Sequence, residues 1–79
     1  MRLIRNDPDR RIHRWYVVGV QATLLDAWAV VCGWGSLHSG YERWRWIACE
    51  DETHARQLAE RIARRKIRRG YRLFGQVVR

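Results

Sequence analysis

Ala27-Trp28-Ala29-Val30-Val31-Cys32-Gly33-Trp34, then Gly35-Ser36-Leu37-His38-Ser39-Gly40, then Tyr41-Glu42-Arg43-Trp44-Arg45-Trp46-Ile47-Ala48 is the stretch that decides the fold. Two runs rich in β-branched and aromatic residues flank six residues bracketed by glycines, the pattern of two strands joined by a hairpin loop. If Trp34 faces Tyr41 across the loop, Cys32 pairs with Arg43, Val30 with Arg45 and Trp28 with Ile47. One face then carries Trp34, Tyr41, Arg43 and Arg45 near the loop. The other carries Ala29, Val31, Trp44, Trp46 and Ala48, an apolar surface whose small gaps suit a helix packed upon it. A slip of one residue exchanges the two faces.

Toward the N-terminus, Trp15 to Gln21 reads as a further strand and Ala22 to Asp26 as the turn that follows it. Three strands joined by short loops predict an antiparallel meander. Met1 to His13 mixes Arg2, Arg5, Arg10 and Arg11 with Asp7, Asp9 and Pro8, shows no period, and reads as a loose arm ahead of a single domain over residues 14–79. Toward the C-terminus the period changes. Ala55, Leu58, Ala59, Ile62, Ala63 and Ile67 recur at helical spacing. Asp51 is placed as N-cap, Glu50 to Glu52 suit the positive helix start, and Gly70 is placed to take the left-handed conformation that ends the helix. Tyr71 to Phe74 and Gln76 to Val78 read as short edge strands around Gly75. The expected class is α+β: a small antiparallel β-sheet of three to five strands with one α-helix packed on one face.

Composition bounds the function. Seventy-nine residues make one domain with a thin core, which leaves little room for a deep substrate pocket. Sixteen Lys and Arg stand against eight Asp and Glu, for a net charge of +8, and Lys66 is the sole lysine. Arginine presents a planar fork suited to phosphates and stacks on flat rings, so the excess points to a polyanionic partner. The N-terminus lacks the apolar core of a signal peptide. The uncharged run from Trp15 to Leu25 falls short of the roughly 20 residues that span a bilayer. A cytoplasmic protein is therefore expected, with no membrane partner.

No catalytic constellation is apparent, and the chain is not expected to be an enzyme or to take a small-molecule substrate or a cofactor. Cys32, His38, Cys49 and His54 lack the usual short spacings of a zinc knuckle. In the register above, Cys49 lies opposite Asp26, about 20 Å along the strands from Cys32, too far for a shared metal or a disulfide. Both cysteines read as small buried hydrophobes.

Two basic surfaces carry the functional expectation. Trp34, Tyr41, Arg43 and Arg45 offer rings for bases or sugars beside guanidinium groups for phosphates. The helix and its C-terminal end add Arg61, Arg65, Lys66, Arg68, Arg69 and Arg72, with Glu60 as the lone nearby carboxylate, placed to pair with Arg64.

The ordered set of motifs resembles the WGR domain, a family named for a Trp-Gly-Arg tripeptide and found in DNA-damage-activated poly(ADP-ribose) polymerases and in short stand-alone bacterial proteins. The resemblance runs from Arg14 to Phe74. It rests on Trp15-Tyr16-Val17-Val18, on Trp28-Ala29-Val30-Val31 leading into Trp34-Gly35-Ser36-Leu37, on Gly40, on Ala55, and on Arg64-Arg65-Lys66-Ile67-Arg68-Arg69-Gly70-Tyr71-Arg72. It implies a small antiparallel sheet with one helix, and DNA binding near strand ends with Trp34 as the stacking residue. The motif arginine is Ser36 here, and His38 stands where the family commonly has glycine. Arg43, Arg45 and His38 are the candidates to compensate. The implied function is a nucleic-acid-binding module, for DNA in preference to RNA and including DNA ends. The alternative is a protein-interaction module that lost DNA binding with its arginine and meets an acidic partner.

Overall fold

The computed structural model of the chain describes residues 1–25 and 27–74. Five strands form one antiparallel sheet: β1 (Arg2–Asp7), β2 (Ile12–Ala22), β3 (Trp28–Ser36), β4 (Glu42–Cys49) and β5 (Arg72–Leu73). Their spatial order is β4-β3-β2-β1-β5. Helix α1 (Glu52–Arg68) packs on one face, chiefly over β2 and β3. The α+β class expected from the sequence is the observed one.

Met1 to His13 is not a loose arm. A single 3-10 turn at Pro8–Arg10 reverses the chain, and β1 pairs with β2 from Arg2↔Val17 to Asp7↔Ile12. Leu3 is only 1% exposed and belongs to the core. The segment hides from sequence reading because it offers a single core aliphatic among charges. The other apolar residue of β1, Ile4, faces the opposite side.

The meander of β2, β3 and β4 forms as expected, but two residues out of the proposed register. Trp34 pairs with Arg43, Cys32 with Arg45, Val30 with Ile47 and Trp28 with Cys49. β3 continues through Gly35 and Ser36 because Gly35 has no side chain. A Cβ there would collide with the Tyr41 carbonyl oxygen and sit 2.9 Å from the Trp15 ring. The loop therefore narrows to Leu37–Gly40, closed by the Ser36 amide donating to the Tyr41 carbonyl at 3.2 Å. An even shift preserves the alternation, so each residue keeps its face. Cys49 sits opposite Trp28, not Asp26, and lies four residues along from Cys32. That separation is about 13 Å at strand rise, and both thiols are free and buried.

The helix covers the other face from the one proposed. Ala55 and Ala63 pack with Leu3, Tyr16, Val18, Val30, Cys32 and Cys49, flanked by Trp28, Trp34 and Ile47. Ala29, Val31, Trp44, Trp46 and Ala48 lie on the side away from α1, with Trp44 and Trp46 more than half exposed. The five strands decide this together: Leu3, Tyr16 and Val18 extend the Val30–Cys32 face into a continuous apolar strip. Ile67, read as part of the helix's apolar stripe, is 44% exposed.

The helix ends follow the sequence. Asp51 accepts the His54 amide at 2.8 Å. At the far end the Gly70 amide donates to the Ile67 carbonyl and the Tyr71 amide to the Lys66 carbonyl, with Gly70 at φ +102. This Schellman arrangement turns the chain back along β1. There β5 pairs through Ile4↔Arg72 and Leu3↔Leu73, within the edge strand expected at residues 71–74. The second expected edge strand, at residues 76–78, lies outside the described residues.

Candidate nucleic-acid interface

Helix α1 stops short of one end of the sheet. Beyond its last turn, a cleft of about 750 Å³ opens between the β1–β2 turn, the β3–β4 hairpin and the helix C-terminus. Its floor follows from the strand register. Arg14 lies directly opposite Ser36, and the next row on the same face is Tyr16–Trp34–Arg43. The row after that is Val18–Cys32–Arg45.

Rings build one wall. Tyr16 and Trp34 stack with centroids 5.9 Å apart and planes 13° apart, and Tyr71 meets Tyr16 edge-on at 6.2 Å. Lys66 reaches over this group from the helix, its Nζ 4.6 Å from the Tyr16 centroid and 5.6 Å from that of Tyr71. Burial holds the Lys66 ammonium below its ordinary pKa, and the nearby Arg69 guanidinium lowers it further. Burial pushes the Tyr16 phenol the other way, well above its ordinary value of 10.0, with the Cys32 thiol adding to the rise. A partly desolvated ammonium beside exposed arginines gains from an arriving anion more than a solvated surface lysine does.

Four cations line the cleft: Arg11, Arg14, Arg45 and Lys66. No carboxylate is among its lining residues, and the described ion pairs lie elsewhere, at Arg10–Asp7, Arg56–Glu52 and Arg64–Glu60. Positive potential in such a concavity is uncompensated locally.

Of the residues predicted from sequence, the cleft brings together Trp34, Gly35, Ser36, Tyr41, Arg45 and Lys66. Arg43 stands at its rim with its guanidinium 4.9 Å from the Tyr41 ring centroid. His38 stacks on His13 at 4.1 Å, tying the hairpin loop to the start of β2. The Ser36 hydroxyl accepts the His38 amide at 3.0 Å, so it shapes that loop. Arg61, Arg65, Arg68 and Arg69 are exposed on the helix outside the cleft, and Arg72 lies on the other face of the sheet. Arg11, His13, Arg14, Trp15, Tyr16 and Tyr71 were missed; Trp15 reaches the cleft from the end of the sheet although its strand position faces away from α1. Arg14 was legible as the residue just ahead of the first aromatic strand; Arg11 was hidden by reading its segment as a loose arm.

Among the described residues no three His, Cys, Asp or Glu side chains gather as a metal site, and no helix is long and apolar enough to cross a membrane. A scan against protein-family models, a search of the curated proteins and a search of the solved structures each give no match.

Proposed function

We propose that this chain is a cytoplasmic nucleic-acid-binding module and not an enzyme. It binds DNA in preference to RNA, through the cleft at the helix C-terminus. The observation that carries the reading is the cleft itself: four cations and no carboxylate arranged around stacked rings. Guanidinium groups meet phosphates there, while Trp34 and Tyr41 offer ring surface to a terminal sugar or base. The WGR-like order of motifs supports the same reading. So does Arg14, which offers a charge one strand away from Ser36.

The test is a fluorescence-anisotropy titration of duplexes with and without a 5′-phosphate, at two salt concentrations. Affinity is expected to fall steeply with salt. In Arg14→Ala/Arg45→Ala the slope of log K against log salt is expected to shrink by about 2, since each phosphate contact releases close to one counterion. Binding that is absent or indifferent to salt would remove the proposal. The exposed helix arginines Arg61, Arg65, Arg68 and Arg69 favour an acidic protein as the second reading. Recovery of such a partner from a nuclease-treated extract, by a variant with the cleft cations removed, would favour that reading.

A further inference from the structure

We propose that the uncovered face of the sheet is a second site, a stacking platform for single-stranded nucleic acid. The face is built in cross-strand rows. One row runs Glu42–Gly35–Trp15–Ile4–Arg72, and the next Trp44–Gly33–Val17–Arg2. Phe74 extends the second row by donating its amide to the Arg2 carbonyl at 2.9 Å. The third is Trp46–Val31–Gly19. Trp44, Trp46 and Phe74 are 52%, 57% and 55% exposed, on a face that no helix covers among the described residues.

Contacts on this face orient the Trp44 ring. The Trp44 ring occupies the space that a Cβ on Gly33 would fill, and its Nε1 donates to Glu42 Oε2 at 2.8 Å. Trp15 lies beside it, with ring centroids 6.0 Å apart. Trp46 follows Trp44 two residues along the same strand, a step of about 6.7 Å. Successive rings at that step are within reach of successive nucleotides of an extended strand.

The partner's chemistry follows from rings and charge together. Exposed indoles stack on any base whose flat face is free. In a duplex those faces are hidden inside the stack, so the platform selects unpaired strands. Arg2 and Arg72 border the rings on the β1–β5 side, while the face's carboxylate, Glu42, is engaged by the Trp44 indole. A chain of net charge +8 attracts a polyanion and repels a second copy of itself. The inference takes its ligand class from the nucleic-acid reading above, but involves none of the cleft residues named there as cations.

The experiment titrates labelled 12-nucleotide oligo(dT) and oligo(U), and a duplex of equal length, against the whole chain. The panel comprises wild type, Trp46→Ala, Trp46→Phe and Arg14→Ala/Arg45→Ala, each checked for folding by circular dichroism. Trp46 is the primary target because it rests on no glycine, and Trp46→Phe keeps a ring. In Trp46→Ala, single-strand affinity is expected to fall about 5- to 100-fold, the loss of one stacked base. Duplex affinity should change by less than about twofold, and Trp46→Phe should recover most of the loss. The Arg14/Arg45 variant should show the larger loss on duplex. Preference between the two oligonucleotides identifies the sugar. Wild type that binds duplex but neither oligonucleotide overturns the inference and leaves the cleft reading standing; binding to none of the three removes both. Unchanged single-strand affinity in Trp46→Ala overturns the inference. So does concentration-dependent dimerisation that Trp46→Ala abolishes while strand binding persists, since the face would then be a contact between copies.

Discussion

On the helix side of the sheet, Tyr16, Trp34 and Tyr71 are locked against one another under Lys66, and charge gathers where the helix stops. On the opposite side, Trp15, Trp44, Trp46 and Phe74 lie over glycines and short aliphatics, with charge confined to the rim. Both sides are aromatic, but the first uses its rings as walls and the second presents Trp44, Trp46 and Phe74 to solvent. The difference follows from coverage. A seventeen-residue helix spans about 25 Å, which hides the aliphatic middle of its face and leaves one end open. Rings at that end acquire cations from three segments of the chain. Among the described residues no element covers the rings of the bare face, and Gly33 supplies the room in which the Trp44 ring lies.

The comparison breaks first if the covered face does not depend on β1. Leu3→Ala removes a side chain buried between β2 and the helix, and should cost about 2–5 kcal/mol in chemical denaturation. A loss under about 1 kcal/mol would return residues 1–13 to a dispensable arm. The next largest effect distinguishes the two glycines. Gly35→Ala drives a methyl against a backbone carbonyl that also closes the hairpin, and should cost about 1–3 kcal/mol. Gly33→Ala meets the six-membered ring of the half-exposed Trp44, a side chain that can shift at the expense of its exposed hydrogen bond to Glu42, and should cost less than about 1 kcal/mol. Equal losses would mean that the bare face is packed as tightly as the hairpin. The smallest effect is in alkali. Tyr16 titrates above 10.0 when folded and near 10.0 when unfolded, so its contribution is intact below pH 10 and is lost as pH rises from there through the folded value. Stability should decline over that range, and Tyr16→Phe should remove that part of the decline. Absorbance titration should show one of the three tyrosines, Tyr16, lagging behind the others.

Much of this architecture was legible in the sequence because local signals agreed. Asp51, the Ala55–Ala63 spacing and Gly70 each marked the helix by an independent physical cause. The hairpin's alternation also survived, since a two-residue shift leaves every side chain on its side. What escaped was non-local. Which face the helix takes is decided by Leu3, Tyr16 and Val18 as much as by the hairpin, and a lone aliphatic such as Leu3 gives no period to detect. The cleft was half legible for the same reason. Trp34, Tyr41 and Arg45 lie in the hairpin, but Arg11, Arg14 and Tyr71 reach it only through β1–β2 pairing and the return of the chain after Gly70. Nothing in the spacing of the sequence announced that Trp44 and Trp46 would remain uncovered. Their apolar character argued the reverse.

The pairing of Arg14 with Ser36 has a wider consequence. Two residues 22 positions apart in the chain are nearest neighbours across β2 and β3, so a guanidinium on either one addresses nearly the same region of space. A tripeptide read along one strand is therefore a one-dimensional record of a two-dimensional surface. A charge absent from one strand of such a record can be supplied to the same surface by the adjacent strand, as Arg14 supplies it beside Ser36. Comparing small sheets by cross-strand rows rather than by alignment columns would group chains that present the same chemistry from different positions.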